Sequence, residues 1–191
     1  MSIKNLKDMI NKQKEQEEHD QEDHFIPEEQ IEEYRLLVER LYTLAIDSIS
    51  ELIAENLIHV HREEIQIYED SLGDYKIDIL YLTINSKKIK FVPAGTMLIG
   101  SKGRVDVYGP FSSEKFMLIR KGVQKPGDLI KVTVHHGNNK EQLNEGSQEA
   151  RRKLTVNDWE WKTLPSDSRW VKFDDVTSDT ITDLIMRMIN G

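Results

Sequence analysis

Between Tyr75 and Val134 apolar and polar residues alternate in short runs, each closed by a cluster of glycine, proline, asparagine or serine. A period of two puts successive side chains on opposite sides of an extended backbone, so these runs read as strands. They are joined by turns and not by helices, which specifies an antiparallel meander and excludes βαβ units. Strands are expected at 59–68, 75–84, 88–91, 104–108, 115–120 and 130–134, with a further short one at 96–99. Ser71 to Asp74, Asn85-Ser86, Gly100 to Gly103 and Gly109-Pro110 supply turns. Pro93-Ala94-Gly95 is expected to end the strand that begins at Lys88. Trp159, Trp161 and Trp170 bracket one or two more strands.

Helices flank this region. Pro27 followed by Glu28 and Glu29 suits a first turn, where proline costs no hydrogen bond and carboxylates meet the positive end of the helix dipole. From there Ile31, Tyr34, Leu37, Val38, Leu41, Leu44, Ala45, Ile49, Leu52 and Ile53 recur every three or four residues, predicting a helix to about Asn56. A second helix is expected from Ser178 to Gly191, with Ile181, Leu184, Ile185 and Met188 as its stripe. The fold class is therefore α+β: an antiparallel sheet of about six strands, packed by a long N-terminal helix and a C-terminal helix. The 31–52 stripe also keeps heptad positions for about three heptads. A homodimer through that helix is the alternative use, although the width of the stripe favours packing on the chain's own sheet.

Charge is unevenly distributed. The net charge is -8, yet residues 1–33 hold four Lys against eleven Asp and Glu, while the rest of the chain holds 22 cations and 23 anions. Residues 1–26 thus read as an acidic, mobile arm, and 27–191 as a single α+β domain with an exposed polar loop at 137–153. Inside the domain the balance reverses, with eleven Lys and Arg against four Asp and Glu between Tyr75 and Val134. Strand alternation sets Lys88, Lys90, Arg104 and Lys131 opposite Ile89, Phe91, Val105 and Val132, so these four cations share an outer face. Asp106 and Tyr108 lie among them, and Lys87, Lys102, Lys121 and Lys125 at the rims. Such a face suits an anionic ligand or an acidic partner protein, or the chain's own arm, which would shield it. Because the chain supplies compensating anions, nucleic acid is the less favoured class of partner. The plain alternative is a solvated face whose lysines block edge-to-edge aggregation.

Catalysis finds less support. Ser101-Lys102 after Gly100 inverts the Lys-then-Ser order of a phosphate loop and precedes a strand, so it reads as a turn. No Gly-x-Ser-x-Gly elbow is present. His59-x-His61-x-Glu63 puts three ligand-type side chains on one strand face, a donor set suited to zinc or non-haem iron, to which His135-His136 would add if folding brought it near. Trp159 and Trp161 point the same way from a strand, where core packing explains them better than base stacking. The chain has no cysteine, which removes disulfides and thiolate sites and fits the cytoplasm. It contains no run of about 18 apolar residues, so no membrane contact is expected, and Met1 to Gln16 lacks the apolar core of a secretory signal. The reading is a cytoplasmic binding or interaction protein without catalysis or cofactor; the alternative is a metal-dependent enzyme using His59, His61 and Glu63.

Overall fold

Pro27 opens the first helix where the sequence places it, and α1 runs Pro27–Asp47. The expected continuation to Asn56 is interrupted: the Ser48 hydroxyl donates to the Leu44 carbonyl at 2.6 Å, a local bond that competes with the helical ladder. A short second helix, α2 (Ser50–Ala54), follows, and Asn56 ends it at φ 58. The computed structural model describes residues 26–96, 100–129, 154–163 and 172–190. Lys131, the strand expected at 130–134, the loop 137–153, Trp170 and arm residues 1–25 lie outside that range.

Among the described residues seven strands form one sheet in sequence order: β1 (Ile58–Glu69), β2 (Gly73–Ile84), β3 (Lys87–Gly95), β4 (Arg104–Tyr108), β5 (Ser113–Arg120), β6 (Trp159–Thr163) and β7 (Asp174–Asp175). Every neighbouring pair is antiparallel, so the meander is as expected, with one strand more. Asn85-Ser86 makes the tight β2–β3 turn, Asn85 taking φ 55, the left-handed geometry that two-residue hairpins require. The C-terminal helix, α3, spans Ser178–Asn190.

β3 runs through Pro93 to Gly95, where the sequence predicted a break. β2 and β3 pair from Leu80 with Phe91 to Ile84 with Lys87 and no further. Beyond Phe91 the strand keeps β4 alone as a partner, with a register shift between Pro93 and Gly95. A strand bordered on one side tolerates a residue without an N–H.

The same parting gives the sheet a fork. In β2, Leu80 and Leu82 are buried on one face, whereas Tyr75, Ile77 and Ile79 are buried on the other. α1 lies over the fork and supplies donors for the exposed backbone. Tyr42 Oη donates to the carbonyls of Asp78 at 2.7 Å and Phe91 at 3.1 Å. Arg35 Nε reaches the Lys76 carbonyl at 2.9 Å, and Tyr34 Oη the Arg104 carbonyl at 2.6 Å. On the β1–β2 side, the Glu69 carboxylate accepts from Tyr75 Oη at 2.5 Å and from the Thr96 amide at 3.0 Å, tying the hairpin to the end of β3.

Both long helices bury their stripes against one face of the sheet. Tyr34, Leu37, Val38 and Leu41 of α1, with Ile181, Leu184 and Met188 of α3, meet Leu82, Ile89, Phe91, Val105, Val107, Phe116 and Leu118. Each such large side chain contributes about 1.5–3 kcal/mol on burial. Most of the stripe considered for a dimer is buried in the chain's own core, while Leu52 remains exposed. Gly109 permits the close approach of α3, since a Cβ there would lie 2.5 Å from the Met188 Cβ. No helix among the described residues is long and apolar enough to cross a membrane.

Two outcomes follow for stability. Tyr42→Phe removes the hydroxyl that both carbonyls at the fork share, and should lower the urea unfolding free energy by about 1–3 kcal/mol. Burial pushes the Tyr34, Tyr42 and Tyr75 hydroxyls well above their ordinary 10.0. The folded chain thus keeps protons that the unfolded chain releases, so their contribution is complete below pH about 10 and is lost as pH rises beyond it. Urea midpoints should hold steady from pH 8 to 9.5 and fall by pH 11.

Candidate functional site

With α1 and α3 on one side of the sheet, the opposite side of β1 to β4 carries exposed side chains toward the β2–β3 turn, while Ile79 and Asp106 on that same side are buried. Register builds its rows. His61 pairs with Tyr81, Tyr81 with Lys90, and Lys90 with Tyr108. One row toward the β2–β3 turn, His59 pairs with Thr83 and Thr83 with Lys88. Lys88, Lys90, His59, His61 and Tyr108 are all exposed, and Tyr81 is half-buried.

The row is ordered through side-chain contacts. The His61 and Tyr81 rings stack with centroids 6.0 Å apart and planes at 27°. A hydrogen bond to Glu63 holds the Tyr81 hydroxyl above its usual pKa, since the neutral phenol is the form that can donate to the carboxylate. Lys90 Nζ sits 5.2 Å from the centre of the Tyr108 ring, a cation–π distance.

Several cations of the basic stretch are already engaged. Arg104 occupies the outer face as predicted, but its Nε lies 2.9 Å from Asp106 Oδ1 and its Nη2 donates to Oδ2 at 3.2 Å. Asp106 is 8% exposed, so this is a sheltered pair with little charge to spare. Lys87 Nζ donates to the Ile189 carbonyl near the end of α3 at 2.5 Å, where a cation meets the negative end of the helix dipole. Lys102 pairs with Glu33 at 2.5 Å and donates to Gln30 at 3.0 Å. Lys162 lies between Glu160, at 2.9 Å, and Asp175. On the outer face proper, Lys88, Lys90 and Lys115 are exposed. Lys121 and Lys125 are exposed on the segment after β5.

The face is not open along its whole length. Ile119 points away from Leu118 yet is 0% exposed, and Phe173 is buried at 6% outside the main core cluster. A backbone bond from the Phe173 amide to the Gln124 carbonyl, 2.9 Å, joins the two segments that flank this end. Ile79 and Asp106 are buried on this side as well, so among the described residues the accessible part lies over the two rows nearest the β2–β3 turn, those of His59 and His61.

His59, His61 and Glu63 share the exposed face, as alternation requires. His61 is engaged there by stacking on Tyr81, and Glu63 lies close enough to raise the pKa of the Tyr81 hydroxyl. Among the described residues no three His, Cys, Asp or Glu side chains converge on one point. His135-His136 falls outside the described range.

The aromatic residues divide in a way that the sequence does not reveal. Trp161 packs in the core with its indole N–H on the Leu37 carbonyl at 2.9 Å, as expected, and Tyr34, Tyr42 and Tyr75 are buried beside it. Tyr81 instead faces outward in register with His61 and Lys90. Neither pairing was legible in the sequence, because both depend on strand register.

Addition of zinc to the purified chain is expected to leave its melting temperature unchanged, and elemental analysis to find no stoichiometric zinc, iron or manganese. A rise of several degrees that His61→Ala abolishes would reinstate the metal site. No protein-family model matches this chain, and no curated protein or solved structure matches it either.

Proposed function

We propose that this chain is a non-catalytic binding protein that holds an anionic ligand on the outer face of β2 to β4, through Lys88 and Lys90. The observation that carries the reading is the one-sided packing of α1 and α3, with two exposed lysines on adjacent rows of the other face. Among the described residues neither lysine forms an ion pair, whereas Lys76, Lys102, Arg104 and Lys162 all do. An exposed cation retains its charge for a ligand without first giving up a carboxylate. The acidic N-terminal residues, with seven anions against four lysines among the first 26, compete for the same face in this reading. The absence of cysteine makes the cytoplasm the proposed compartment.

Binding of a labelled polyanion such as heparin, followed by fluorescence anisotropy, tests both parts. Lys88→Ala with Lys90→Ala should weaken binding and reduce the slope of log K against log salt by roughly two. Unchanged affinity would remove the face from consideration. Deleting residues 1–24 should strengthen binding at low salt, with the gain fading above about 0.15 M. Equal affinity with and without those residues would remove the competition while leaving the face in place.

A further inference from the structure

We infer that the ligand class is single-stranded nucleic acid, with bases stacked on Tyr81 and Tyr108 and phosphates on Lys88 and Lys90. This rests on the reading above that the open face binds anions, and adds which anions. An acidic peptide or a simple polyanion would use the lysines and leave the rings without a role. Single strands use both, because each base offers a π-face and each linkage a charge.

The row geometry suits that use. β2, β3 and β4 are consecutive neighbours, so with strands about 4.8 Å apart Tyr81 and Tyr108 stand roughly 10 Å from each other. Lys90 stands between them in register with both, and Lys88 lies in the next row on the same strand. Two platforms with a cation between them match two stacked bases and the phosphate that links them. The platforms are also held in place before any ligand arrives. His61 backs the Tyr81 ring, with centroids 6.0 Å apart. Tyr108 is 41% exposed and carries the Lys90 ammonium over its ring. Ordered rings lose little freedom when a base stacks on them.

The same residues argue against a duplex. The exposed face presents no helix to enter a groove, and three exposed lysines on the face are few for the phosphate density of two strands. Glu63 repels phosphate at the β1 side, and the Arg104–Asp106 pair is close to neutral. The backbone of a bound strand is thereby directed along Lys88 and Lys90.

The experiment uses the full chain at about 50 mM salt and compares three probes by anisotropy or competition. These are a single-stranded oligothymidylate of about 12 nucleotides, the duplex it forms with its complement, and inorganic polyphosphate. The single strand should bind tighter than the duplex. Tyr81→Ala and Tyr108→Ala should each weaken it about tenfold or more and leave polyphosphate binding unchanged. Tyr108→Phe, which keeps the ring, should retain most of the affinity, separating stacking from any effect on folding. Lys88→Ala with Lys90→Ala should weaken both single strand and polyphosphate. If the tyrosine variants bind the oligonucleotide as the parent does, or if the duplex binds as tightly as the single strand, the nucleic-acid inference is overturned and the anionic face stands. If no probe binds, both readings fall.

Discussion

The Tyr42 hydroxyl accounts for more of this molecule than its size suggests. It donates to the carbonyls of Asp78 and Phe91, residues on the two strands that separate at that point. A sheet that splits leaves backbone groups which must find partners, since a buried unpaired carbonyl costs about 1–3 kcal/mol. α1 solves this with polar side chains set into an otherwise apolar stripe: Tyr34, Arg35 and Tyr42 each reach a strand carbonyl. A helix bound to the sheet through its backbone cannot be moved to the other face without losing all three bonds. α3 then follows α1, burying Ile181, Leu184, Ile185 and Met188 in the same cluster. The choice of covered face, and hence of open face, descends from the fork.

That choice also redistributes charge. Counted along the chain, residues 75–134 are strongly basic. In the fold, Lys102 crosses to Glu33 on α1, Lys87 to the last turn of α3, and Arg104 to Asp106 two residues on. Two of those partners are remote in sequence, so a window count could not subtract them. What survives is a smaller set of cations interleaved with aromatic rings, a different chemical object from a basic platform.

Legibility followed the range of the interactions involved. The helix starts, the Asn85-Ser86 hairpin and the alternation that puts Ile89 and Phe91 inward depend on neighbours within a few residues, and the sequence displays them. The break at Ser48 was also local, but a serine hydroxyl turning back on Leu44 competes closely with helix continuation. The passage of β3 through Pro93 was not legible, because it depends on β2 having left that side. Nor was the outward placement of Tyr81 beside Lys90. Parity gives the face of a residue within its own strand, while the cross-strand partner comes from register, which only the assembled sheet fixes.

Register also bears on the most economical explanation of the lysines, protection of sheet edges against aggregation. The edges of this sheet are β1 and β7. Lys90 belongs to β3 and is paired on both sides, to Tyr81 and to Tyr108, and Lys88 is paired to Thr83. A charge at the middle of a sheet guards no edge. The strand that does need guarding is β1, twelve residues long, and it carries its own exposed polar set in His59, His61, Glu63 and Glu64. The two groups singled out in the sequence thus exchange explanations: the histidine-glutamate run fits edge protection, and the lysines are left without that reason to be there. Of the two, Lys90 stands between Tyr81 and Tyr108 on an inner strand, the arrangement on which the proposed binding face rests.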